Sequence, residues 1–203
     1  MHEMLKFPAE SIGATAARYS SQSGPSGLAS ISIWLAPFEF DGSTHDTSLR
    51  CDQIELDLDD FSALGGRRFE FPPNPEPGHI DGSLYLFGVH VLFITKTISF
   101  GKIGRDTIPL RIDGMLELSS DRRTRYEDAD LSVETALYLP LTPERLVSIA
   151  THAIDATNAR LPRDLGKAMA LLAKDPRADG WMAELSVEVR RILQARAASA
   201  SQY

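Results

Sequence analysis

The chain has 203 residues, 43% of them hydrophobic, and a net charge of −7. That is long enough for one large domain or two small ones with a full core, and too apolar for a disordered chain. Its single cysteine, Cys51, excludes an intramolecular disulfide and a thiolate zinc site within one chain, and no apolar run approaches the roughly 18 residues a membrane-crossing helix needs.

Residues 1–27 carry no net charge and read as an N-terminal segment ending in a flexible linker. The residues around His2, Glu3 and Lys6 lack the apolar run of a targeting signal. With the lone thiol, this points to a cytoplasmic protein. Ser11 to Tyr19 reads as a short helix with Ile12, Ala16 and Tyr19 on one face. Ser20 to Gly27 is rich in Ser, Gly and Pro and has little to bury.

From Leu28 the apolar period becomes two. Ile31, Ile33 and Leu35 alternate with Ser30, Ser32 and Trp34. Side chains leave a strand on opposite faces in turn, so this is a half-buried strand. Ile54-Leu56-Leu58, Ile108 to Leu118 and Leu131 to Leu139 read the same way. Arg68 to Phe71 reads as a short edge strand stopped by Pro72 and Pro73. Ser83 to Phe87 and Val89 to Phe100 read as two more strands, the second covered on both faces, with Gly88 a bulge or tight bend between them. Asp41-Gly42, Asp81-Gly82 and Asp113-Gly114 are turn dipeptides, the last two equally readable as strand irregularities. Asp59 or Asp60 can cap one helical turn, Phe61 to Leu64, ended by Gly65 and Gly66. Lys102 to Asp106 and Ser119 to Asp128 read as loops joining strands.

After Leu141 the period shifts to about 3.6. Thr142-Pro143-Glu144 supplies an N-cap, a proline at the first helical position and an acid at the positive end of the dipole. Leu146, Ile149, Ala150, Ala153 and Ile154 form its stripe. Pro162 breaks that helix. A second runs from about Arg163 to Lys174, and a third from about Asp179 to Arg196, with the tail from Ala197 frayed. The predicted fold is therefore α+β: an antiparallel β-sandwich or strongly curled sheet over residues 28–141, then three helices over residues 143–196 within a helical region, residues 142–203, packed on the sheet.

Residues 28–141 carry −9 and residues 142–203 carry +2. A domain at −9 repels phosphate backbones, which argues against nucleic acid as a partner. No phosphate loop, dinucleotide fingerprint, serine elbow or paired Cys-x-x-Cys is present. His79, Asp81 and His90 form the best metal candidate, since imidazole and carboxylate suit zinc or a similar ion, but the spacing matches no specific motif and a locally satisfied His90 in an apolar run is the better reading. Asp57, Asp59 and Asp60 offer oxygen ligands for calcium, set against simple exposure and capping. Cys51 has no neighbouring base and reads as a core thiol. Arg122, Arg123 and Arg125 form a basic loop patch beside Asp121, Glu127 and Asp128. Four prolines between Pro72 and Pro77 stiffen the loop after Phe69 and Phe71. With Trp34 and Tyr85, this region is the leading place for an interface.

These features predict a non-catalytic protein-interaction or ligand-binding protein without cofactor, of the kind an intracellular inhibitor or immunity protein represents. A metal-dependent enzyme built on His79, Asp81 and His90, and a structural subunit of a homo-oligomer, are the alternatives.

Overall fold

A computed structural model describes residues 4–20, 27–40, 42–56, 61–120, 125–175, 177–178 and 181–200. The chain divides into two compact units, Met1–Leu139 and Pro140–Tyr203.

Among its described residues the first unit holds ten strands: β1 Ala14–Ser20, β2 Ala29–Leu35, β3 Phe38–Phe40, β4 Ser43–His45, β5 Ser48–Ile54, β6 Arg68–Glu70, β7 Asp81–Leu86, β8 Val89–Phe100, β9 Thr107–Glu117 and β10 Ala129–Tyr138. Seven of them close a barrel in the order β8-β7-β5-β2-β1-β10-β9 and back to β8. β6 pairs with the part of β8 beyond the reach of β7. Strands that alternate in direction around a ring must be even in number. A seven-membered ring therefore needs one parallel pair, and here it is β1 with β10.

This closure corrects the predicted sandwich, while the strongly curled sheet was the compatible part of that expectation. Alternation looks the same in a sandwich and in a barrel. The difference is whether a strand bridges the first and last staves. That strand is β1, in the segment read as a helix. Ala16 and Ala17 favour a helix in isolation, but tertiary pairing overrides that weak preference. Ala17 is fully buried between Ile33 and Leu137, where a small side chain fits.

Among the described residues three register shifts interrupt the barrel ladders, one between Ala14 and Ala16 of β1 and two others, on β8 and β5, that set which residues face inward. Lys96 interrupts the β8–β9 register between Thr95 and Thr97, so the inward series Val91, Phe93, Thr95 resumes at Ile98 and Phe100. On β5, Asp52 and Gln53 together oppose Ser30, and Gln53 has φ of 60°. Ile54 is thus the last residue of β5, and Glu55 and Leu56 after it are not part of a strand. Residues 57–60, including the expected caps Asp59 and Asp60, lie outside the described residues.

The glycines of Asp81-Gly82 and Asp113-Gly114 sit inside strands and make no turns. Both lie against Phe93, whose ring fills the barrel between β7 and β9. The turn is instead Phe87-Gly88, two residues with φ of 53° and 75° joining Leu86 to Val89. This is the backbone that a tight hairpin with right-handed strand twist requires.

The second unit contains α1 Pro143–Ala156, α2 Leu165–Leu172 and α3 Met182–Ala200. Thr142 caps α1, its Oγ1 accepting from the Arg145 amide at 3.3 Å. Ile149, Ala150, Ala153 and Ile154 of α1 meet Ala168 and Leu172 of α2 and Leu185, Val189 and Leu193 of α3 in one core. α3 extends through Ala200, past the point where fraying was expected.

Candidate functional site

Ile33 and Leu35 point into the barrel, so Trp34 between them points out. Register then extends a row across the outer face. Trp34 lies opposite Ser48, and the β5–β7 ladder, continued by one residue from Leu49 and Leu84, sets Ser48 beside Tyr85. The Thr47 hydroxyl donates to the Tyr85 carbonyl at 3.0 Å across the same junction. Tyr85 in turn faces His90, their rings edge-on with centroids 5.3 Å apart. The row Trp34, Ser48, Tyr85, His90 therefore crosses β2, β5, β7 and β8.

Strands lie about 4.8 Å apart, so Trp34 and Tyr85 stand roughly 10 Å from each other over the short side chain of Ser48. Tyr85 is 51% exposed and Trp34 half-buried. The next row carries Ser32, Arg50 and Ser83. Arg50 is anchored by Asp52 at 2.7 Å and remains exposed. The patch thus offers two aromatic faces, an imidazole and a guanidinium above small hydroxyls. It can stack and donate hydrogen bonds.

The other sequence candidates are distributed elsewhere. Asp81 pairs with Ile94 and His90 with Tyr85, which puts Asp81 and His90 four ladder positions apart, roughly 13 Å. His79 precedes β7 and its Nδ1 contacts the Glu76 carbonyl at 2.8 Å. Among the described residues no group of three His, Cys, Asp or Glu side chains is placed to hold a metal ion. Phe69 packs inward on Phe100, with Arg67 over its ring at 4.7 Å. Phe71 also packs on the core. Arg122 and Arg123, and the calcium candidates Asp57, Asp59 and Asp60, lie outside the described residues. Arg125 is exposed, and its carbonyl accepts from Leu5 at 2.7 Å. Cys51 is fully buried against the Thr95 hydroxyl at 3.7 Å, and burial pushes its thiol up to about 12.

One feature had no counterpart in the sequence reading. A cleft of about 520 Å³ separates the N-terminal segment from the start of β10, with Lys6, Phe7 and Glu10 on one wall and Glu127, Asp128 and Asp130 on the other. Phe7 is 2% exposed and stacks edge-on with Phe40 and Tyr126, which pins the segment to the barrel. The isolated apolar Phe7 in a weakly patterned stretch was the available signal. In the helical unit, a cleft of about 290 Å³ is lined by Ile149, His152, Lys174, Asp175 and Arg177. There the Arg177 guanidinium forks onto Asp175 and holds its carboxyl below the usual range.

The chain matches no protein-family model, no curated protein and no solved structure. Among the described residues no helix is long and apolar enough to cross a membrane.

Proposed function

We propose that this is a non-catalytic binding protein whose barrel engages a protein partner through the outer row Trp34, Ser48, Tyr85 and His90. The observation that carries the reading is the register that sets these side chains abreast, with Arg50 beside them. Trp, Tyr and Arg are the residue types that dominate binding energy at protein interfaces, because each brings large contact area and a polar handle. An aromatic as exposed as Tyr85 adds little to the stability of the free protein. The buried thiol of Cys51 is not a nucleophile near neutral pH, and its burial fits a role in packing.

Tyr85→Ala tests the reading, because Tyr85 can be removed without opening the core. Immobilised wild-type protein should retain a stoichiometric partner from native lysate that the Tyr85→Ala protein loses, with identical circular dichroism for the two. Retention of the same proteins by both, or of none by the wild type, refutes it.

A further inference from the structure

β10 uses its two edges unequally. It pairs with β9 along its whole length, from Ala129 to Tyr138. Along β1 it pairs only at Leu137 and Tyr138. The groups that the unpaired stretch presents follow from Pro109. The Pro109 carbonyl accepts from the Gly101 amide at 2.8 Å, so Pro109 bonds toward the β8 side. Opposite residues of an antiparallel pair either bond each other or both turn away. Ala136, opposite Pro109, therefore turns away from β9. Counting back by twos, so do Asp130, Ser132 and Glu134. Their N–H and C=O groups point away from β9, along the stretch of β10 that precedes the β1 ladder at Leu137.

The N-terminal segment comes close without closing this edge. Leu5 bonds to Arg125 and Glu127 at 2.7 and 2.9 Å, just ahead of β10, and the segment then forms the far wall of the 520 Å³ cleft. A long open strand edge is a template for another strand unless something blunts it. Here charge selects the occupant. Asp130 and Glu134 are paired with Lys96 and Arg111 at 2.7 and 2.6 Å. Glu10 and Glu127 hold no ion pair among the described residues, and Asp128 faces the same cleft, against the single cation of Lys6. A second copy of β10 would bring this negative wall against its own like.

We infer that the open edge of β10 accepts an extended basic polypeptide segment as an added strand, its backbone bonding to Asp130, Ser132 and Glu134 and its cations meeting Glu10, Glu127 and Asp128. Main-chain bonds would supply affinity and the carboxylates selectivity, as in other strand-addition complexes. This site is independent of the aromatic row and stands or falls separately.

The probe is a labelled peptide of alternating Lys and Val, with a Glu-Val peptide as control, read by fluorescence anisotropy on the full chain. Wild type should bind the Lys-Val peptide, more weakly as salt rises, and leave the Glu-Val peptide free. Ser132→Pro removes one edge N–H without touching a backbone bond to β9, and should weaken binding about tenfold. Ser132→Ala loses the same side chain but keeps the N–H, and should bind like wild type. Wild type that ignores the Lys-Val peptide, or folded Ser132→Pro that binds it fully, overturns the inference. Should Ser132→Pro not fold, hydrogen exchange on wild type decides. Added peptide must protect the amides of Asp130, Ser132 and Glu134, and unchanged exchange there is equally fatal.

Discussion

Phe93 shows how the barrel interior is fitted one residue at a time. Its ring occupies space that Gly82 and Gly114 leave on the two flanking strands. A Cβ on Gly114 would lie 2.5 Å from the Ile94 carbonyl oxygen and 2.4 Å from Cζ of the Phe93 ring. Neither backbone nor packed ring can yield cheaply, so Gly114→Ala should destabilise the first unit by about 2 kcal/mol. A urea midpoint that does not move would contradict this packing. Cys51 makes a second test of the same interior. Burial raises its pKa to about 12, and the Thr95 hydroxyl and barrel wall enclose it. A disulfide reagent at pH 8 should label it only as fast as the barrel unfolds. Rapid stoichiometric labelling of the native protein would show an open interior.

At the scale of elements, legibility in the sequence followed the range of the interactions involved. The helices were readable because caps and stripes are local: Thr142-Pro143 starts α1, and Ile149, Ala150, Ala153 and Ile154 line its buried face. Ile31, Ile33 and Leu35 were readable for the same reason. β1 was not, because Ala14 to Ala17 has no period of two and only its neighbours Ile33 and Leu137 make it a strand. β5 was missed because the bulge at Gln53 breaks the alternation that would have tied Leu49 and Cys51 to Ile54. The candidate site suffered from that gap. Trp34 and Tyr85 were grouped with the proline-rich loop as one interface region, but their alignment across the strands depends on Ser48, which lies in the unread strand.

A local cap also contributes to the pH dependence of the helical unit. The Asp164 carboxylate accepts from the amides of Arg160 and Leu161, both at 3.1 Å, and pairs with Lys167 at the same distance. Those donors, the Arg160 amide foremost, hold its pKa at about 2. An unfolded Asp titrates near 4. The folded value is the lower one, so the stabilisation is full above about pH 4 and is lost as the pH falls through 2. Asp164→Ala should therefore melt lower than wild type at pH 7, with the difference closing toward pH 2. A gap in melting temperature that persists undiminished at pH 2 would assign the effect to helix propensity instead.

For the barrel as a whole, the parity that forces one parallel pair also locates its weakest seam. Six of the seven junctions are antiparallel ladders of four or more register pairs, whereas β1 and β10 share two. Parallel pairing is also slightly less stable per residue. A ring opens where its joints are fewest, so the β1–β10 seam should open at lower free energy than the rest of the barrel. Within β10 the orientation set by Pro109 gives a sharper expectation than overall mobility. The amides of Leu131, Val133 and Thr135 bond to β9, while those of Asp130, Ser132 and Glu134 face the open edge. In the free protein, hydrogen exchange followed by NMR should therefore alternate along the strand, the second set exchanging orders of magnitude faster than the first. Equal protection of both sets would mean that another strand already covers this edge, and the barrel would not be the seven-stave ring with a short parallel closure.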